Sequence, residues 1–359
     1  MNNRFIQLHI LTSYPPANLN RDDLGRPKTA KMGGVDRLRV SSQSLKRHWR
    51  TSELFQQALE GHVGTRTKVL GLQAYDRLVD AGIGEKNAFD WAKSIAGVFG
   101  ALKKANKDKP LQELEIEQLV HISPSEQQAI DQLVDTLISE QRGPEKAELE
   151  LLRHDNRAAD IALFGRMLAS KTAYNTEAAC QVAHAISVHP VVIEDDYFTA
   201  VDDLNIHRDD AGAAHIGETG FAAGLFYSYI CINRELLMDN LGGDEALARK
   251  AIAALTEAAL KVAPSGKQNS FGSRAYASYA LAEKGDQQPR SLSAAFLMPI
   301  DQNRGQSEKL DFAKAAIEAL EQQRDHFDRV YGDCCDSKAE INVVAGTGSL
   351  AELLAFVSE

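Results

Sequence analysis

The chain has 359 residues, 44% of them hydrophobic, which is enough for one large domain with insertions or for two to three modules, each with its own core. No window approaches 18 consecutive apolar residues, so a membrane-spanning helix is excluded. The first residues, MNNRFIQLHIL, lack the basic start, apolar stretch and small-residue cleavage site of a secretory signal. The formal net charge is −10, yet Asn20–Arg50 holds nine Lys or Arg against three Asp, a local +6 that leaves −16 for the rest, so the acidic total does not exclude an anionic partner.

In chain order, Phe5 to Thr12 (FIQLHILT) alternates Ile6, Leu8 and Ile10 with Gln7 and His9, the period of a strand. SYPPANLN ends it, and the basic stretch follows as a long loop. That loop runs into SSQSLKRHWR, a helix capped by Ser42 or Ser44, with Leu45, Trp49 and Phe55 near one face. Residues 65–180 read as mostly helical and polar, an insertion or subdomain. Strand character returns at 182–193 and 221–233, separated by an acidic, Gly- and Ala-rich excursion. A helix is expected at 243–262. Then KQNSFGSRAYASYALAEKG reads as a loop and a strand, and 307–330 as a helix with Leu310, Ala313, Ile317 and Leu320 on one face. With the two excursions removed, the order is β-α-β-β-α-β, that of a ferredoxin-like or RNA-recognition-type core.

Phosphate binding needs cationic side chains, hydroxyls and approachable backbone N–H groups. The basic loop supplies Arg21, Arg26, Lys28, Lys31, Arg37 and Arg39, then Ser41, Ser42, Gln43 and Ser44 at a helix start, with Gly33 and Gly34 between. PSGKQNSFGSR, at 264–274, repeats the recipe with Lys267. The plain alternative for both is a solvated loop. In DIALFGRMLAS, Phe164, Gly165, Arg166 and Met167 combine bulk, a break and a cation: either a packed helix end or an apolar wedge beside a phosphate contact.

Other chemistries fit less well. Asp22–Asp23, Glu194–Asp195–Asp196, Asp202–Asp203 and Asp209–Asp210 bring carboxylates, but two-metal catalysis needs them to converge. The ten histidines show no metalloprotease or zinc-finger spacing, and His184, His189 and His215 read as structural. Cys180, Cys231, Cys334 and Cys335 form no C-x-x-C pair and read as reduced thiols of a cytoplasmic protein. VVAGTGSLAELLAF lacks the third glycine and the following strand of a dinucleotide site. No Walker A motif or nucleophile elbow is present. The sequence therefore implies no cofactor, no metal and no catalytic residue.

The blocks LNRDD (19–23), GG (33–34), RVSSQSLKR (39–47), DIALFGRM (160–167), AHAI (183–186), FTAVDDL (198–204) and AHIG (214–217) together resemble the CasC family, the backbone subunit of type I-E CRISPR Cascade surveillance complexes. The resemblance spans residue 4 to about 300. It implies an α+β right-hand shape. An RNA-recognition-motif-like palm falls at 1–60, 179–193 and 223–359, helical fingers at 61–178 and a thumb at 194–222. It implies a non-catalytic, filament-forming subunit for antiviral defence, whose partners are crRNA, other copies of itself, other Cascade subunits and, by way of the guide, target DNA. By position, Arg21, Lys28, Ser41, Gln43, Lys46 and Arg47 would hold guide phosphates and Lys267 would add a backbone contact. Met167, after Arg166, would wedge at a kinked base, and Phe198, Thr199 and Val201 would reach the neighbouring subunit's RNA. The family's lysine-rich finger helix is matched here by the acidic SEQQAIDQLVDTLISE, with Lys103, Lys104, Lys107 and Lys109 as candidate substitutes. A metal-dependent target ribonuclease using Asp22 or Asp23, as in related type III backbone subunits, is the alternative.

Overall fold

The computed structural model describes residues 3–154, 157–200, 215–301 and 310–359. Over these residues the strands are β1 (Phe5–Ala17), β2 (Thr29–Met32), β3 (Val35–Val40), β4 (Thr65–Thr67), β5 (Val120–Ile122), β6 (Cys180–Val182), β7 (Ala185–Ser187), β8 (Glu194–Ala200), β9 (His215–Asn233), β10 (Ala277–Gly285) and β11 (Ser337–Asn342). The helices are α1 (Ser42–Arg50), α2 (Glu53–Ala58), α3 (Leu70–Asp80), α4 (Glu85–Phe99), α5 (Pro124–Glu140), α6 (Ala159–Phe164), α7 (Arg234–Asn240), α8 (Glu245–Lys261), α9 (Gln268–Phe271), α10 (Phe312–Tyr331) and α11 (Leu350–Ser358). The chain is thus α+β, in two compact units. None of the described helices is long and apolar enough to cross a membrane.

The first unit comprises Met1–Phe55, Gln181–Cys231 and Ile252–Glu359. It is organised by a sheet of order β11-β10-β1-β9-β7-β3-β2, to which β6 and β8 add by pairing with β9. β1 pairs antiparallel with β10, from Phe5 opposite Gly285 to Thr12 opposite Ala277. The alternation in β1 does put Ile6, Leu8 and Ile10 in the core, but Gln7, His9 and Leu11 are buried as well. The reason is α10: Ala316, Ile317 and Leu320 pack with Leu11, Tyr227, Tyr279 and Leu281, closing the face that the polar residues would otherwise present to water.

Burial obliges those polar groups to find partners. Leu292 N–H donates to the Tyr227 hydroxyl at 3.0 Å, and that hydroxyl meets His9 Nδ1 at 2.9 Å. His9 Nε2 meets Glu283 Oε2 at 3.2 Å, Arg290 donates to the same carboxylate at 2.6 Å, and Arg290 also reaches Asp328 at 3.1 Å. Burial, chiefly, lowers the His9 pKa, so His9 is neutral and its Nε2–H donates. Burial alone would raise the Glu283 pKa, but the hydrogen bonds from His9 and Arg290 prevail and hold it well below the usual range. The unfolded chain therefore takes up a proton at His9 near its ordinary pKa of about 6.5, before the folded chain does. Glu283 adds a loss of the same sign below about 4.3. The thermal unfolding midpoint is expected to fall as pH drops from neutral through about 5; a flat profile over that range would contradict this account of the network.

The 182–193 segment is less of a strand than its composition suggests. Only β6 and β7 form there, and Pro190, which has no N–H to give a ladder, lies in the loop that follows. β8 and the start of β9 form an antiparallel ladder from Glu194 opposite Phe221 to Ala200 opposite His215. The ring of Phe198 lies over Gly217, where a Cβ would come within 2.4 Å of it. All four cysteines are free thiols.

The second unit comprises Gln56–Cys180 and Ile232–Ala251. Its core joins α3, α4 and α5 through Leu70, Leu78, Ile95, Phe99, Val134 and Leu137. It is not wholly helical: β4 and β5 pair antiparallel, with Thr65 opposite Ile122. α7 belongs here too, since Asn240 Nδ2 donates to the carbonyls of Ala162 and Glu177 at 3.0 and 2.8 Å.

Candidate nucleic-acid interface

The basic loop is folded on itself. Asp22 N–H donates to Arg26 O and Lys28 N–H to Asn20 O, while Asp22 Oδ1 accepts from the N–H groups of Leu24 and Arg26, both at 2.9 Å. Gly25 takes the positive φ (+81°) that this turn requires. From behind, buried Asn18 donates to Gly25 O and Gly220 O. One Asp22 oxygen is thus committed to holding the turn.

α1 starts one residue earlier than its sequence suggests. The cap is Ser41, not Ser42 or Ser44, because Ser41 has the extended backbone a cap needs and its Oγ accepts from Ser44 N–H at 3.3 Å. Ser41 N–H in turn donates to Asn20 Oδ1 at 2.9 Å, tying helix to loop. Leu45 and Trp49 are buried, which turns Gln43 and Arg47 to solvent and leaves Lys46 half-buried.

A third segment, 264–268, closes the site. At Gly266 a Cβ would lie 2.5 Å from Leu19 O and 2.7 Å from Asn18 O, so only glycine permits this approach. Gly266→Ala should cost about 1–3 kcal/mol by overpacking, read from the urea midpoint; an unchanged midpoint would mean the loops are not held this closely. Lys267 adopts a left-handed backbone and its Nζ donates to Thr219 Oγ1 at 3.1 Å. His48 ties this segment to α1. Its Nδ1 meets Ser44 O at 2.6 Å and its Nε2 meets Ser265 Oγ at 2.9 Å. Burial, and then the charge of Arg47, lowers the His48 pKa against the opposing hydrogen bond to Ser44. Neutral His48 donates from Nδ1 and accepts the Ser265 hydroxyl at Nε2.

These three segments enclose a cleft of about 560 Å³ whose lining includes Arg21, Asp22, Asp23, Arg47, His48 and Lys267. Arg21 and Arg47, both exposed, pair with no carboxylate among the described residues. Two unpaired guanidiniums, an ammonium and hydroxyls at a helix suit an anion with several oxygens. Of the carboxylate groups named from the sequence, Asp195 is taken by Arg26 at 2.8 Å, and Asp202–Asp203 and Asp209–Asp210 lie outside the described residues. Among the described residues, no three His, Cys, Asp or Glu side chains gather where they could hold a metal ion.

The family described as CT1975-like protein matches residues 6–352, nearly the whole chain. The chain belongs to the CT1975-like family. The CasC resemblance seen in its sequence blocks holds at this level. No curated protein matches it by sequence. Among solved structures, a chain of a "CRISPR RNA-guided surveillance complex, pre-nicking" superposes with TM-score 0.80 at 27% identity, covering 99% of both chains. A chain of a "CRISPR RNA-guided surveillance complex" does so with TM-score 0.72 at 24% identity, again covering 99% of both, a likeness of fold.

In this CT1975-like chain the cleft unites Arg21, Arg47 and Lys267 of the guide contacts that the resemblance implies, together with Ser44, Asp22 and Asp23. Ser41 caps α1, Lys46 is half-buried on that helix and Gln43 is exposed on its first turn, none of the three among the cleft's lining residues. Lys28 lies with Arg39 near His184, whose pKa is lowered by burial and by those two cations; His184 Nδ1 accepts from Ser42 N–H. Phe198 and Thr199 sit exposed on β8, and Val201 lies outside the described residues.

Arg166 is the correction. Its side chain is 1% exposed and donates to both Glu126 oxygens, at 2.9 and 2.7 Å, and to the carbonyl of Tyr174 at 3.0 Å. A guanidinium consumed in this way has no phosphate contact to offer. It braces a loop closed by mutual Arg166–Thr176 backbone bonds, and the next residue, Met167, is 77% exposed. Sequence reasoning missed His48 and Ser265, and it named Gly266 only as part of the second basic loop. The one signal for His48 was its place one turn after Ser44 on α1.

Proposed function

We propose that this chain is a crRNA-binding backbone subunit of a type I-E Cascade surveillance complex, gripping the guide by its sugar-phosphate chain and leaving the bases free to pair with target DNA. The observation that carries this is the convergence of Arg21, Arg47 and Lys267, from three separate segments, on one cleft, the two arginines with no carboxylate partner among the described residues. Backbone contacts carry no base information, so such a grip accepts any guide and leaves reading to base pairing. The chain's likeness over its full length to a chain of an RNA-guided surveillance complex supports the same reading. So does the sheet: the succession β1, α1, β7, β9, α8, β10, with spatial order β10-β1-β9-β7, suits an RNA-recognition-motif-like palm.

In this reading the second unit supplies the fingers, with Met167 as the exposed wedge at a kinked base, and the β8–β9 ladder supplies the thumb that reaches the next copy along the guide. Several copies on one strand gain from linked binding. The subunit is non-catalytic and acts in the cytoplasm. The ribonuclease alternative, resting on Asp22 and Asp23, is disfavoured because Asp22 serves the turn. The assembled complex, incubated with RNA complementary to its guide and Mg²⁺, should leave that RNA intact while protecting its own guide from added nuclease. Cleavage that Asp23→Ala abolishes would replace the proposal with the alternative.

A further inference from the structure

Beside the phosphate cleft, on the same unit, lies a larger groove of about 890 Å³. The two share one residue, Ser265, whose hydroxyl His48 holds in place. Their linings differ in kind. The cleft is walled by charged and polar groups, whereas the groove combines aliphatic walls from Leu54 and Val262 with Tyr276 and Arg274. Tyr276 is 70% exposed and its ring contacts no other ring among the described residues. Arg274 is exposed and pairs with no carboxylate among them. The other cation of the groove, Lys261, is already committed to Glu257 at 2.6 Å.

The groove is built on rigid parts. Ala277, next to Tyr276, is the β10 residue that pairs with Thr12 of β1. Gln268 Oε1 accepts from both the N–H and the hydroxyl of buried Ser273 at 2.6 and 2.9 Å, which braces the turn leading to Arg274. An aromatic face and an unpaired guanidinium on a fixed scaffold, continuous with a phosphate-binding cleft, are the parts of a stacking platform for single-stranded nucleic acid.

We infer that this groove is a nucleotide subsite on the path of the RNA strand, a step that rests on the function proposed above. A base stacks on the Tyr276 ring, the sugar-phosphate beside it is held by Arg274, and Ser265 marks the crossing from cleft to groove. Stacking on a π-face is indifferent to base identity, so the subsite adds affinity without imposing sequence. Glu53, the acidic residue of the lining, engages partners of its own.

The test is photo-cross-linking of the full chain to a thiouridine-substituted single-stranded RNA, with affinities measured in parallel. Tyr276→Ala should lose the cross-link on the peptide containing Tyr276 and weaken binding about 5- to 30-fold, while Tyr276→Phe stays within about two-fold of the parent. Arg274→Ala should lower the salt slope by about one. Tyr331→Ala, which removes an exposed ring elsewhere, should change nothing. If the parent binds RNA with the expected salt dependence but Tyr276→Ala matches it and no cross-link falls on this segment, the groove is not a subsite and the cleft reading stands. If Tyr276→Ala impairs self-association and leaves RNA binding untouched, the occupant is protein and the inference is overturned. If the parent binds no RNA at all, both readings fall together.

Discussion

The double variant Arg21→Glu/Arg47→Glu is expected to lose at least about 100-fold in affinity for single-stranded RNA. Charge-assisted hydrogen bonds contribute about 1.5–3 kcal/mol each, so losing two and replacing them with repulsive carboxylates gives a fall of about two to four decades. Both side chains are exposed and make no ion pair among the described residues, so the fold should not suffer. Fluorescence anisotropy at fixed salt reads the affinity and circular dichroism the fold. Unchanged RNA affinity in a folded variant would remove the cleft from the account. A variant that unfolds would show instead that these arginines support the loop.

The second large effect is on stability, at Glu126. This fully buried carboxylate does two jobs. It completes the capping box of α5, accepting from Ser123 N–H at 2.9 Å while Ser123 Oγ caps Glu126 N–H. It also neutralises Arg166 and accepts from Arg153 N–H at 2.9 Å. Glu126→Ala strands a guanidinium in the interior of the second unit, which costs about 3–5 kcal/mol. The paired change Glu126→Leu/Arg166→Met should recover much of that, because an apolar pair of similar size has no desolvation to offset. Denaturant unfolding measures the loss, and hydrogen exchange locates it: amides of α5 should lose protection while those of β1 and β10 keep theirs. A Glu126→Ala variant as stable as its parent would contradict the role given to this pair, and with it the account of how Met167 is held out to solvent.

What could be read from sequence, and what could not, follows from the range of the interactions. The apolar alternation of β1 is local and legible. The burial of Gln7 and His9 is not, because the helix that covers them, α10, arrives some three hundred residues later. Local charge density pointed to Arg21, and the CasC resemblance to Arg47. Nothing local says that Gly266 must pass within contact of Asn18 and Leu19, or that His48 and Ser265 meet. Arg166 misled for the same reason. Beside an exposed Met167 it reads as a surface cation, and only its meeting with Glu126, forty residues back, turns it inward. The cap of α1 moved to Ser41 because Ser41, Ser42 and Ser44 are alike in side chain and only backbone angle separates a cap from its neighbours, which composition does not encode. Family membership was legible in blocks such as LNRDD, RVSSQSLKR and DIALFGRM, which lie at the loop, at α1 and at the turn before Met167.

The central claim is that this cleft grips RNA through its phosphates and ignores its bases. The measurement that tests it most directly is the affinity of the full chain for two single-stranded RNAs of unrelated sequence across a salt series. The account predicts one line for both on a log–log plot, with a slope of about −3 to −5, equivalent to about 4–7 phosphate contacts. A flat slope, or slopes and affinities that differ between the two sequences, would contradict it.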